Sequence, residues 1–278
     1  MNRRWINLVF AGVIAAGPAL AGVVVKGSDT VLPLSQKEAE VYLQKDKAAS
    51  VAIIGGGSGV GLAALIDGTC DIAQSSRPIK SKETRQAKQK GVNPVETVVA
   101  KDALTVIVHP SNPVKKLTVQ QIGDIFTGVI TNWKDVGGPQ KSIVVYSRES
   151  SSGTYAFFRE HVLANKEYTS AALLAPATGA IVQSVSQTEG AIGYVGMAYL
   201  TPSVTALEVA AEAGKPYVPA STANALDGSY PISRELFYYT NGQPKGEAKA
   251  FIDFILSPEG QKLVEDVGYV PVKPGARS

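Results

Sequence analysis

Arg148 and the run Ser150-Ser-Ser-Gly-Thr154 form the stretch best equipped for chemistry in this chain. The guanidinium, serines and glycine lie between a β-forming segment, 143–146, and a helical pattern over 154–163. A strand, a small polar turn and a helix together aim several backbone N–H groups and hydroxyls at one anion. The first amides of a helix have no partner within it, and its dipole favours negative charge there. Arg148 adds a permanent positive charge in a fork suited to a tetrahedral oxyanion. Taken alone, the stretch reads equally well as an ordinary turn with serine as helix cap.

The same device recurs twice. Ser28-Asp-Thr30 follows an apolar strand pattern at 22–27 and precedes a helix to about Gln44, with Pro33 suited to its first turn. Gly55-Gly-Gly-Ser-Gly59 joins a strand at 50–54 to a short helix over 60–67 that Gly68 stops. Three such turns make a site for a desolvated oxyanion, held by mostly neutral donors. Each charge-assisted bond there contributes roughly 1.5–3 kcal/mol.

Catalytic chemistry is poorly supplied. His109 and His161 are the only histidines, and neither sits in a nucleophile–base pattern. Two scattered histidines and one cysteine provide no nitrogen–sulfur metal cluster. Residues 55–61 do not fit G-x-G-x-x-G, and neither a Walker-type loop nor G-x-S-x-G occurs. The reading is therefore of a binding protein without enzymatic activity, cofactor or metal.

The elements that must position these turns alternate between strand and helix, which gives an α/β class with mainly parallel sheets whose loops gather ligands at the strand ends. Buried strands are expected at 97–100 and 103–110, a helix from Thr118 ended by Gly128, a glycine-rich strand at 190–196 and a loop at 219–230. Helices are expected over 247–256 and from Ser257 to about Asp266.

The chain has 278 residues, 45% of them hydrophobic and 18% charged, enough for two lobes with cores. A basic start at Arg3 and Arg4, an apolar run and Ala19-Leu-Ala21 read as a signal peptide over 1–21 that is cleaved, leaving an exported, periplasmic protein. The formal charge of +3 falls to +1 when those two arginines leave, which argues against nucleic acid as a partner. Cys70, the single cysteine, is expected to be buried.

Several segments in order resemble the periplasmic phosphate-binding proteins of bacterial phosphate ABC transporters. They are Gly27-Ser-Asp-Thr-Val-Leu-Pro-Leu34, Gly56-Gly-Ser-Gly59, Asp71-Ile-Ala-Gln-Ser-Ser76, Leu117-Thr-Val-Gln-Gln-Ile-Gly-Asp-Ile-Phe-Thr-Gly128 and Arg148-Glu-Ser-Ser-Ser-Gly-Thr154. Gly190-Ala-Ile-Gly-Tyr-Val195, Phe251-Ile-Asp-Phe-Ile-Leu-Ser-Pro-Glu-Gly-Gln261 and Gly268-Tyr-Val-Pro271 complete the match. The resemblance implies a two-lobed periplasmic-binding-protein fold of type II, each lobe a sheet flanked by helices, joined by a two-strand hinge. Lobe 1 would be 22–98 plus 202–278 and lobe 2 would be 99–201, with hinges near 98–101 and 194–200.

Carried over residue by residue, the resemblance implies phosphate contacts from Thr30, the Val31 amide, Ser58, Asp71, Arg148, Ser152, the Gly153 amide and Thr154. Ser28, Ser75 and Ser76 are further candidates, and Glu149 stands near the position of an acid that pairs with the arginine. A carboxylate at Asp71 has a physical use. Phosphate near neutral pH keeps a proton that an ionised Asp accepts, whereas sulfate has none and is repelled.

The implied function is high-affinity capture of inorganic phosphate by lobe closure and delivery to a transmembrane ABC permease by a monomeric protein. The alternatives are another tetrahedral oxyanion (sulfate, molybdate or tungstate), a secreted phosphatase-like enzyme, or a phosphate sensor. Trp133 is the only tryptophan after leader removal, so closure is expected to change its fluorescence if closure alters its surroundings.

Overall fold

The computed structural model describes residues 22–272, and the expected leader lies outside them. Lobe 1 opens with three strand–turn–helix units: β1 (Val23–Gly27) and α1 (Leu32–Lys45), β2 (Val51–Ile54) and α2 (Ser58–Ile66), β3 (Ile72–Ser75) and α3 (Ser81–Gln89). Strand β1 runs between β2 and β3, parallel to both. Parallel strands end on one edge of their sheet, so the turns after them collect there.

A long strand, β4 (Pro94–Val108), then leaves lobe 1. The two strands expected at 97–100 and 103–110 are this one element, with Lys101 and Asp102 inside it. In lobe 2 follow β5 (Lys116–Thr118), α4 (Val119–Phe126), β6 (Val144–Arg148), α5 (Gly153–His161), β7 (Leu173–Ala175), α6 (Thr178–Gln187) and β8 (Ala191–Gly196). Short strands β9 (Thr205–Ala206) and β10 (Glu208–Ala210) and a helix α7 (Thr222–Leu226) come next, the last within the expected loop. The chain returns through β11 (Ser233–Asn241) and closes on α8 (Gly246–Ile255) and α9 (Pro258–Val267).

The sheet order is β2-β1-β3-β11-β4-β8-β6-β7, with β9 also on β4. Both contacts of the central strand along this path are antiparallel: β4 pairs with β11 over 94–103 and with β8 over 104–108. The sheet is thus mixed where it passes from one lobe to the other, and parallel around each group of turns.

The cores show where the lobes divide. One is built from β1, β3, α1, α8, α9 and the first half of β4, including Val25, Leu34, Ile72, Val99, Phe251 and Ile255. The other includes Leu104, Val106, Phe126, Trp133, Phe158 and Tyr194, together with Leu207, Val209, Tyr230 and Ile232. Strand β10 pairs with β5, and β9 with the lobe-2 half of β4. Residues 204–232 therefore belong to lobe 2, and the expected boundary at 202 is corrected to about 233. The return crossing is β11, not 194–200. A register shift lies between Leu236 and Phe237 in that strand. The segment 197–199 does touch lobe 1, through Met197 and Ala198, before the chain turns back.

Candidate functional site

Four hydroxyls from four turns meet where the lobes face each other. Thr30 Oγ1 and Thr154 Oγ1 are 2.7 Å apart, Thr154 Oγ1 and Ser76 Oγ 3.4 Å, and Ser76 Oγ and Ser58 Oγ 3.3 Å. None of the four residues is more than 1% exposed. Thr30, Ser58 and Ser76 follow β1, β2 and β3, whereas Thr154 begins α5 on the opposite lobe. A second tie across the cleft runs from the Gly59 amide to the Ser151 carbonyl at 2.9 Å.

Local chain chemistry explains why these groups face the cleft. The α1 cap is Val31, without a side-chain cap bond, so Asp29 and Thr30 are not the capping residues that their types suggest. Helix α2 starts at Ser58 behind Gly57, whose φ of +97° suits glycine. A Cβ at Gly57 would also lie 2.7 Å from the Ser151 carbonyl. On lobe 2, Ser152 is a cap, with its Oγ accepting the Tyr155 amide at 3.3 Å. The first amides of α2 and α5 have no partner inside their helices and carry the positive ends of the helix dipoles.

Arg148 ends β6 and is 2% exposed. Its Nε donates to the Ala175 carbonyl at 3.2 Å and Nη1 to Thr178 Oγ1 at 2.7 Å. Its Nη2 donates to Asp29 Oδ2 at 2.6 Å and to the Pro176 carbonyl at 2.9 Å. Four of the guanidinium's five N–H groups are thereby committed to protein. The free fork expected from the sequence is reduced to one Nη1–H. The acid that pairs with it is Asp29, from the other lobe. Glu149 is exposed and is corrected as a partner. Asp29 Oδ1 also accepts the Gly56 amide at 3.0 Å, which fixes the turn before α2.

Asp71 is also corrected. It precedes β3, at the edge of the sheet opposite Ser75 and Ser76, and its carboxylate is tied to the Val24 amide at 2.8 Å. It is exposed and lines a shallow surface cavity with Cys70 and Lys245. It cannot reach the hydroxyl cluster. Ser75 is likewise committed elsewhere, donating to the Arg77 carbonyl at 2.7 Å inside its own turn. The Val31 amide donates to the Ser28 carbonyl at 3.2 Å, within the turn and not toward the cleft. Ser28 is buried and holds this turn through its backbone, accepting from Val31 and from Gln74 Nε2 at 3.1 Å. Of the eleven expected residues, Thr30, Ser58, Ser76, Arg148, Ser152, Gly153 and Thr154 are brought together.

Sequence reasoning missed the supports. Tyr199 and Tyr269 hydroxyls donate to the Asp29 and Thr30 carbonyls. Burial pushes both phenols above their ordinary pKa, so they stay protonated donors. Arg234 on β11 donates twice to Asp102 Oδ2, at 3.1 and 2.8 Å, and through Nη1 to the Ser76 carbonyl at 3.2 Å. It also lies 5.3 Å from the centroid of the Phe157 ring on α5. Asp29 was legible as a lone acid inside a polar turn. Asp102 was hidden in a charged pair between two expected strands, and Arg234 lies in β11.

Cys70 is buried as expected, its thiol pushed up to about 12 by burial and by the Asp71 charge. The histidines lie outside the cluster: His109 Nδ1 is 2.7 Å from Ser111 Oγ at the end of β4, and His161 Nδ1 is 3.0 Å from the Phe157 carbonyl.

Residues 13–259 match the model of the PBP superfamily domain. The chain is 35% identical over 264 residues to the phosphate-binding protein PstS of Pseudomonas aeruginosa, covering 88% of this chain and 81% of that protein. It is 37% identical over 263 residues to the protein SphX of Synechococcus elongatus, covering 90% and 77%. A solved structure from Clostridium perfringens, described as a phosphate ABC transporter substrate-binding protein with bound phosphate, superposes with a TM-score of 0.83 at 38% identity. That match covers 91% of this chain and all of that one.

Proposed function

Because the chain belongs to the PBP superfamily and, within it, to the family of the phosphate-binding protein PstS, we propose that it captures inorganic phosphate between its lobes and hands it to an ABC permease for import. The observation that carries this reading is the convergence of Thr30, Ser58, Ser76 and Thr154 from two lobes onto one buried point. The anion takes the place of the direct hydroxyl–hydroxyl bonds. It accepts from those hydroxyls, from the first amides of α5 and from the remaining Nη1–H of Arg148. No bond is made or broken in the ligand, and the protein acts as a binding protein and not as an enzyme.

The charges suit reversible capture. Arg148 is matched by Asp29 and Arg234 by Asp102, all four nearly buried, so the site is close to neutral before the ligand arrives. Neutral donors and helix ends then stabilise the anion without a fixed countercharge that would retain it. The pairing of Asp29 with Arg148 spans the lobes and favours the closed arrangement. Strands β4 and β11, crossing side by side at 100–103 and 233–236, are the hinge, and the lobes close about them as rigid bodies. The mature protein works as a monomer in the periplasm after loss of its leader.

Calorimetric titration of residues 22–278 with phosphate tests the reading. One phosphate bound per chain is expected. Neither heat nor thermal stabilisation at millimolar phosphate would sink it. Trp133 supplies a further prediction, opposite to the expectation from sequence. Its ring is fully buried in the lobe-2 core and Nε1 donates to the Gly190 carbonyl at 2.9 Å. A rigid lobe carries it along unchanged, so its emission stays constant when phosphate saturates the protein. A phosphate-dependent spectral shift would show that lobe 2 deforms internally on closure.

A further inference from the structure

The site is close to neutral before the ligand arrives, so its own charges exert little pull on a distant anion. Long-range attraction has to come from outside it. Helix α3 supplies the charge. With its two caps it spans 80–90 and carries five basic residues and one acid, Glu83. Its buried contact is Ala87, packed with Ile66 and Val92, which leaves the long basic side chains in water.

The acid does not offset them. Glu83 holds Arg77 with both oxygens, at 2.8 and 2.6 Å, and accepts the Lys80 amide at 2.8 Å. Lys90 pairs with Asp67. Lys80, Lys82, Arg85 and Lys88 are exposed, and among the described residues none of them is in an ion pair.

The first of these cations stands at the cleft. Lys80 lines a cavity where the lobes meet, together with Ser150, Tyr155, Arg159 and Glu160 from lobe 2. Partial burial, and next the charge of Arg77, lowers the Lys80 pKa. An anion arriving beside two such cations relieves their repulsion. Lobe 2 brings two exposed acids to this rim, Glu149 and Glu160, whereas Arg159 is taken by Glu167. Four free cations against two acids leave the rim positive. Lys88 is only about 12 Å along the helix from Lys80, close to a Debye length of about 10 Å at 0.1 M salt.

We propose that Lys80, Lys82, Arg85 and Lys88 form an electrostatic guide, which draws anions to the cleft mouth and raises the rate of phosphate capture without touching the bound ligand. This rests on the phosphate-binding reading and adds a kinetic role for residues outside the site. The neutral site sets how long the ligand stays, and the helix sets how often it arrives.

The test uses radiolabelled inorganic phosphate and the mature chain carrying Lys82→Gln, Arg85→Gln and Lys88→Gln. Equilibrium dialysis gives Kd, and a chase with unlabelled phosphate gives the dissociation rate. The two together give the association rate. At about 0.01 M ionic strength, where the Debye length is about 30 Å, the triple variant should bind about fivefold more weakly than the parent, with an unchanged chase rate. At about 1 M salt, with charges screened within about 3 Å, the two proteins should be equal. Adding Lys80→Gln should deepen the low-salt loss. Lys47→Gln with Lys245→Gln is the control. Both residues are exposed at the other edge of the lobe-1 sheet, Lys245 beside Asp71, and their loss should change low-salt affinity by less than about twofold. A triple variant that matches the parent at low salt overturns this inference and leaves the phosphate reading standing. So does an equal loss in the control, which would reduce the effect to net charge. A loss that persists at high salt, or that appears in the chase rate, also overturns it, since either means contact and not guidance. A parent that takes up no labelled phosphate overturns both readings.

Discussion

Gly153→Ala is expected to keep the protein folded and to weaken phosphate binding by at least about 100-fold. Gly153 opens α5, and it is absent from the glycines with positive φ, so alanine suits its backbone. Alanine is the better helix former by up to about 1 kcal/mol, and the ligand-free protein should be at least as stable as the parent. The obstacle appears only across the cleft. A Cβ at this position would lie 2.7 Å from Ser76 Oγ and closer still to Ser58 Oγ. Ser58 has little freedom to retreat, since its Oγ accepts the Ser76 amide and its backbone begins α2. The lobes are then held apart, and the hydroxyls of lobe 1 and the amides of α5 cannot reach one anion together. Differential scanning calorimetry with and without phosphate separates the two effects. At a thousand times Kd, phosphate stabilises the parent by about 4 kcal/mol, which for a chain of this size is a rise in Tm of roughly 8–16 °C. The variant should show the parent's Tm or slightly more without phosphate, and almost no rise with it. Gly179→Ala, on α6 with no neighbour within 4 Å of the added carbon, should retain the full rise. A Gly153→Ala protein with the parent's phosphate response would mean that the α5 start does not pack against lobe 1 in the bound state.

The behaviour of Gly153 also marks how far the sequence could be read. Turn chemistry was legible because each turn carries its own signal: hydroxyls, glycines and a following helix within a few residues. That is enough to single out Thr30, Ser58 and Thr154, which meet. What the sequence did not disclose is which end of a strand a residue occupies in the assembled sheet. Asp71 and Ser76 are five positions apart and flank β3, which carries one to each edge. Pairing partners were hidden for the same reason. Arg148 is met by Asp29, 119 positions earlier, because β1 and β6 point their ends at each other across the cleft. The neighbouring Glu149 was more visible in sequence and is exposed in space.

The lobe boundary failed on a different ground. Lys101 and Asp102 interrupt an apolar run, and a charged pair between two β-forming segments ordinarily marks a loop. Here Asp102 stays inside β4 because Arg234, from the neighbouring strand, neutralises it at zero exposure. That pair joins the two crossing strands side by side. It also conceals from the sequence that β4 is a single element. A buried ion pair contributes little net stability, but removing one partner typically costs 3–5 kcal/mol.

Glu38→Gln is expected to abolish a large pH dependence of stability that runs from about pH 4.5 to about pH 8. Glu38 lies on α1 and is fully buried; Oε1 has no hydrogen-bond partner, and Oε2 is 2.9 Å from the Tyr238 hydroxyl. Burial pushes its pKa from 4.5 up to about 8, opposed only in part by the hydrogen bond with Tyr238, the titratable group that faces it from β11. Both folded and unfolded chains hold the proton below the ordinary value, so the folded state bears no penalty there. As pH rises past 4.5 the unfolded chain releases the proton and the folded chain retains it, and stability falls. The fall ends near pH 8, where the folded carboxyl ionises too. At about 1.4 kcal/mol per pH unit, the loss across that window is on the order of 4–5 kcal/mol. Glutamine cannot ionise. Its second N–H, unpartnered, adds a penalty of about 1–3 kcal/mol, but the same one at every pH. Urea unfolding from pH 5 to pH 9 should therefore show the parent losing stability relative to the variant up to about pH 8, with a constant difference beyond. Parallel curves for the two proteins would show that Glu38 is ionised in the fold. The consequence reaches the site. The Tyr238 hydroxyl, which donates to Glu38 Oε2, is also 2.8 Å from Ser35 Oγ; Ser35 donates to Gln74 Oε1 at 2.5 Å, and Gln74 Nε2 to the Ser28 carbonyl at 3.1 Å. This network ends on the turn that presents Thr30.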